Sequence, residues 1–131
     1  MDENNSIQLF EDRKIRTAWD EEQGEWYFSV QDVVAVLAES SDPKQYIKKM
    51  RARDPELSAN WGTICTPVQM PAADGKMRKI QAANTEGLLR IIQSIPSPKA
   101  EPFKRWLAQV GRERIEETID PEQAIDRALE N

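Results

Sequence analysis

The chain has 131 residues, which fits one domain with a core of its own. Hydrophobic residues make up 39% and charged residues 31%, with a net charge of −5. This is a solvated globular composition, and no apolar run approaches the ~18 residues of a membrane helix. There is no histidine and a single cysteine, Cys65, which removes serine–histidine and cysteine–histidine catalysis, the usual zinc sets and any internal disulfide. A lone cysteine also points to a reducing, cytoplasmic setting.

The start, Met1-Asp2-Glu3-Asn4-Asn5, is acidic and polar and unlike a signal peptide. Residues 7–28 are predicted to form a short β-meander. Ile15, Thr17 and Trp19 share one face of its second strand, Asp20 to Gly24 form a polar turn, and Trp26-Tyr27-Phe28 is aromatic and β-prone. A helix is expected from Ser29, an N-cap with Asp32 three residues on, close to a capping box. Val33, Val34 and Leu37 give it an apolar stripe. Glu39 to Asp42 is a four-residue break. Pro43, capped by Asp42, starts a second helix that runs to about Arg53 and ends at Asp54-Pro55.

A hairpin is predicted next, with arms Trp61 to Met70 and Lys76 to Ala82 and an Asp74-Gly75 turn; Pro67 confines the first arm to an edge or a bend. Cys65 reads as a buried strand residue, not a nucleophile. Asn84 or Thr85 caps a third helix that buries Leu88, Leu89, Ile91 and Ile92. A longer helix spans about Lys99 to Thr118, with Phe103, Trp106, Leu107, Val110 and Ile115 at helical spacing, and a final acidic helix is expected over Glu122 to Glu130. The expected class is α+β, a small antiparallel sheet or set of hairpins with about five helices.

The net charge hides a partition. Residues 1–43 carry three basic and eleven acidic side chains, residues 44–114 fourteen and six, and residues 115–131 one and six. A basic middle between acidic ends suggests a surface that faces a polyanion; a merely solvated surface gives the same count. Spacing narrows the choice. Two helices joined by a four-residue break resemble a helix-turn-helix. Lys44, Lys48 and Arg51 share a face of the second helix, and Ile47 and Met50 are left for the core, with Tyr46 partly covered. Gln45, Lys49 and Arg53 complete its polar side. Gln45 and the arginines suit base edges, and the lysines suit phosphates. Lys76, Arg78 and Lys79 make the hairpin a candidate wing. Lys99, Lys104, Arg105, Arg112 and Arg114 form a third basic group, which either extends this surface or pairs with glutamates of its own helix.

Four segments, in order, resemble the Bro-N domain. Trp26 to Leu37 resembles its "W-F-x-x-x-D-V-x-x-x-L" signature, and Ser41-Asp42-Pro43-Lys44-Gln45-Tyr46-Ile47 resembles the small polar segment before a basic helix. Asn84 to Ile92 resembles "E-x-G-L-Y-x-L-I", and Pro98 to Leu107 resembles "S-K-x-x-A-x-x-F-x-x-W-v". Ala38-Glu39-Ser40 departs from the family's "L-G-Y/W" at the end of the first helix. The resemblance covers about residues 7–118 and implies binding to double-stranded DNA, as in phage antirepressors and proteins like DNA-damage-inducible protein D.

It places a Bro-N-like domain at 1–118 and the acidic helix at 119–131, where a linker or second domain would begin. No catalysis, cofactor, metal or membrane contact is expected. The other reading is a module that binds a repressor or another regulator, using the acidic ends and exposed Trp19 or Trp61. A homodimer is compatible with either.

Overall fold

The computed structural model describes residues 5–119, with side chains through residue 110. The expected acidic helix at Glu122 to Glu130 lies outside these residues. The described chain is α+β: five antiparallel strands and six helices. The meander forms β1 (Asn5–Phe10), β2 (Arg13–Asp20) and β3 (Glu25–Ser29). It is followed by α1 (Val30–Ala38), α2 (Pro43–Arg53), α3 (Pro55–Ala59) and α4 (Trp61–Ile64). The hairpin β4 (Thr66–Pro71) and β5 (Met77–Ala83) precedes α5 (Thr85–Gln93) and α6 (Ala100–Ile119). The sheet order is β1-β2-β3-β5-β4, so the hairpin joins the meander through β3 and β5, with Phe28 opposite Ala83.

Alternation along the strands gives the sheet two faces. Ile15, Thr17, Trp19, Trp26 and Phe28 are buried, and all but Thr17 belong to the main core with the helices. Phe103 and Trp106 of α6 meet Phe10 edge-on at 5.1 and 5.8 Å. Indole N–H groups pin the helix at two levels, Trp106 donating to Leu9 O at 2.8 Å and Trp26 to Val110 O at 3.2 Å. The other face carries a small second cluster, Ala18, Met70 and Ala82, because the sheet curls into a half-barrel. Asn5 Nδ2 reaches across to Gln69 O at 3.0 Å, and Arg16 Nη1 reaches Pro71 O at 2.8 Å.

These two bonds also blunt an edge. Backbone groups alternate sides along a strand, so Pro67, Gln69 and Pro71 turn theirs to the open side of β4. The prolines supply no N–H, and two of the three carbonyls are taken, which leaves little for another strand to pair with.

The structure corrects four expectations. The first hairpin arm does not start at Trp61: residues 61–64 form α4, and the strand begins at Thr66. Asp54-Pro55 does end α2, but it also starts α3, since the Asp54 carboxylate accepts the Leu57 N–H at 3.0 Å. Cys65 is buried at the junction of α4 and β4, and burial pushes its thiol up to about 12, so it is an inert apolar residue at neutral pH. Leu89 is exposed; the buried side of α5 is Gly87, Leu88, Ile91 and Ile92.

Candidate nucleic-acid interface

The helix pair forms as the caps dictate. Ser29 Oγ accepts the Asp32 N–H at 3.3 Å. The reciprocal half of a capping box is absent, because Asp32 is engaged elsewhere. Its carboxylate takes Arg16 Nε at 2.8 Å, Arg16 Nη2 at 2.9 Å and the Arg16 backbone N–H at 2.9 Å. The Asp32 hydrogen bond holds the Arg16 guanidinium above its ordinary pKa, against the opposing effect of burial. Arg16 thereby joins β2, the first turn of α1 and the end of β4.

α1 ends on Glu39, whose φ of 52° is left-handed. The "L-G-Y/W" pattern that the resemblance offers would put glycine here, and a residue with a Cβ holds this conformation at a cost in backbone strain. Lys99 gathers the Glu39 carboxylate at 3.2 Å and that of Glu11, also left-handed, at 3.3 Å. These two contacts, Glu39 first, raise the Lys99 pKa.

Asp42 Oδ1 accepts the Gln45 N–H at 3.2 Å and starts α2. Ile47 and Met50 are buried, Tyr46 is half-buried, and Lys44, Gln45, Lys48, Lys49 and Arg53 are exposed. The amphipathic division expected from spacing is therefore present. No ion pair engages Lys44, Lys48 or Lys49 among the described residues.

The two arginines differ from the lysines. Arg51 is half-buried, with its guanidinium 5.0 Å from the centroid of the Trp61 ring, and Arg53 lies 5.9 Å from that of Tyr46. Lys44, Lys48 and Arg51 line one groove with Ile47, Ala52 and Ser58. Ser58, on α3, and Trp61, on α4, escape a sequence reading that treats residues 54–70 as a break and a strand. The clue available was Asp54-Pro55, which repeats the Asp42-Pro43 helix start.

The hairpin turn is closed by Ala72 N–H to Lys76 O at 2.8 Å and by Asp74 Oδ1 accepting the Lys76 N–H at 3.0 Å, with Gly75 at φ 83°. Lys76 and Lys79 are exposed, and Arg78 pairs with Asp74. Arg78 stands opposite Met70 and Lys79 opposite Gln69, so these two cations point to opposite faces of the ladder.

The structure does not merge the two groups. The turn end of the hairpin, at Pro71, is tied to the first turn of α1 through Arg16, whereas α2 follows the last turn. No hydrogen bond or ion pair among the described residues joins them. Of the third basic group, Lys99 is held by two glutamates and Lys104 pairs with Glu101 at 3.0 Å, while Arg105 is exposed. The Arg112 and Arg114 side chains lie outside the described ones. Trp19 and Trp61, expected as exposed, are 5% and 4% accessible and form no docking surface.

Among the described residues no helix is long and apolar enough to cross a membrane. No curated protein and no solved structure matches the chain. A family model described as the BRO family, N-terminal domain, matches residues 14–113, from the second residue of β2 well into α6, with α2 and the hairpin inside the match. The chain belongs to the BRO family and carries its N-terminal domain, Bro-N.

Proposed function

We propose that this domain is a DNA-binding module of a transcriptional regulator of the phage or prophage antirepressor kind, acting by binding and not by catalysis. The observation that carries the reading is α2. Ile47 and Met50 lock one side into the core, and Lys44, Gln45, Lys48 and Lys49 stand free on the other. A helix so divided suits a duplex groove, with lysines meeting phosphates and Gln45, in the first turn, near base edges. The hairpin serves as a second contact through Lys76 and Lys79, joined by Arg78 once it leaves Asp74.

The test is duplex binding across a salt series. Wild type is expected to lose affinity linearly in log salt. Lys48→Ala with Lys49→Ala should flatten the slope by about 0.9 per lost contact. A wild type that ignores duplex DNA at low salt sinks the reading.

One feature favours a protein partner, such as a repressor, in addition: Ile7 and Leu9 on β1 are 54% and 56% exposed, side by side on one face. Ile7→Thr with Leu9→Thr should leave DNA binding unchanged and abolish capture of such a partner in a pull-down with the cognate repressor.

A further inference from the structure

Three arginines with described side chains are half-buried, and their partners differ. Arg16 has Asp32 and Arg90 has Asp54. Arg51 has no carboxylate among the described residues. Its Nε is buried without a hydrogen-bond acceptor, and its guanidinium is held over Trp61, itself 4% accessible. A half-buried guanidinium with no carboxylate beside it gains from an anion supplied from outside the chain.

The surroundings are arranged for one. The groove beside Arg51, about 370 Å³, is lined by Lys44, Lys48, Ser58, Ile47 and Ala52 and by no acidic residue. Lys44 and Lys48 lie seven and three residues before Arg51 and so on its side of the helix. The indole face, 5.0 Å from the guanidinium, restrains it, and with Nε buried the Nη groups are the donors left for a tetrahedral oxyanion.

We propose that the groove between α2 and α3 seats a single backbone phosphate of the duplex, with Arg51 as its fixed donor, Lys44 and Lys48 as flanking charges and Ser58 as a hydroxyl donor. This rests on the DNA-binding reading and sharpens it. Arg51, which spacing offers as a base reader, holds phosphate and carries no sequence information. Base reading falls to Gln45 and its neighbours on the outward crest of α2. Trp61 is a positioning residue that acts through Arg51.

The experiment compares wild type, Arg51→Ala, Ser58→Glu and Gln45→Ala on a preferred duplex and on a scrambled one of equal length, each over a salt series, with thermal melting of every variant. Arg51→Ala should lose about tenfold in affinity on both duplexes alike, with a slope shallower by ~0.9. Ser58→Glu places a carboxylate in the seat. It should match that loss while melting no lower than wild type, because it supplies the acid that Arg51 lacks; this excludes misfolding as the cause. Gln45→Ala should leave the slope alone and narrow the gap between the duplexes.

If wild type binds duplex but Arg51→Ala and Ser58→Glu bind as well as it does, the seat is wrong and the DNA reading stands. A loss confined to the preferred duplex makes Arg51 a base reader and also overturns the proposal. If wild type binds no duplex, the DNA reading itself fails. In a parallel arm, inorganic phosphate is titrated while the Arg51 Nε–H resonance is followed. A response to millimolar phosphate with none to duplex would reassign the groove to a free phosphate and overturn the backbone assignment.

Discussion

The two candidate contact regions, α2 with five cations and the β4–β5 hairpin with three, hold them differently. On α2 the apolar side is in the core and both arginines lie against aromatic rings, Arg51 on Trp61 and Arg53 on Tyr46. On the hairpin Lys76 and Lys79 extend from a tip without apolar cover, and Arg78 is occupied by Asp74. A preset cation loses less freedom on binding than a mobile one. The difference therefore assigns orientation to α2 and adaptable charge to the hairpin. Each is tied to α1, the hairpin through Arg16–Asp32 at its start and α2 through the left-handed Glu39 at its end.

The largest expected effect breaks the hairpin side. Asp32→Ala leaves the Arg16 guanidinium half-buried without its anion and deprives three N–H groups of their acceptor. Both side chains are about one-fifth exposed. A loss of about 3 kcal/mol in urea unfolding is expected, together with faster amide exchange at the turn end of the hairpin. Unchanged exchange there would show that Arg16 does not hold the hairpin.

Gly87→Ala strikes the other side. A Cβ at this position would sit 2.7 Å from Ile64 O, a backbone atom at the end of α4 that cannot simply rotate away. The cost should be about 2 kcal/mol. Because α4 also bears Trp61, the displacement should reach the Arg51 stack and reduce DNA affinity, while amide shifts in the hairpin stay as in wild type. A destabilised variant with wild-type affinity would uncouple α4 from the interface.

Charge on the hairpin can be moved in either direction. Lys76→Ala with Lys79→Ala should weaken duplex binding by less than tenfold, with no change in melting temperature. Asp74→Asn releases Arg78 and should steepen the salt slope by up to ~0.9. It should also touch the acid side of stability. Arg78, then the Lys76 N–H, hold the Asp74 carboxyl below its ordinary pKa, and the Leu57 N–H, then Arg90 and Ser94, do the same for Asp54. A lowered folded-state pKa contributes stability that is present above the unfolded value and lost as pH falls through the folded one. Melting curves of Asp54→Asn and Asp74→Asn should therefore be less pH-dependent than wild type below about pH 4. A steep acid limb retained in both would place the responsible carboxylates elsewhere.

The amphipathic elements were legible because their signals are local. Ser29 and Asp42 cap where they were expected to, Asn84 is the one of the two offered caps that does so, and Ile47 and Met50 are buried as their spacing requires. The α3–α4 segment was not legible, because Asp54-Pro55 carries a stop for one helix and a start for the next, and four residues at Trp61–Ile64 are too few to show a period. The candidate site was legible as residue types on α2, but not in the division among them. Whether Arg51 stacks on Trp61 or faces outward depends on where α4 lies, a tertiary fact ten residues away. Asp32 misled for a similar reason: a carboxylate three residues after a serine satisfies the capping pattern, and only the fold brings Arg16 to it.

The smallest effect concerns the turn that sets α2 on α1. Glu39 adopts φ 52°, which for a residue with a Cβ costs on the order of 1 kcal/mol. Glu39→Gly removes that strain and one of the two carboxylates on Lys99, while Glu11 remains at 3.3 Å. The pair being lost is exposed, with the Glu39 side chain 69% accessible, so solvent and salt screen it and the backbone gain should dominate. Melting should rise by a few degrees, more at high salt than at low, with duplex affinity within twofold of wild type because glycine keeps the same turn. A lower melting temperature at low salt that recovers at high salt would show that the Lys99 contact outweighs the strain. In that case the glutamate repays its backbone strain by fastening the helix pair to the start of α6.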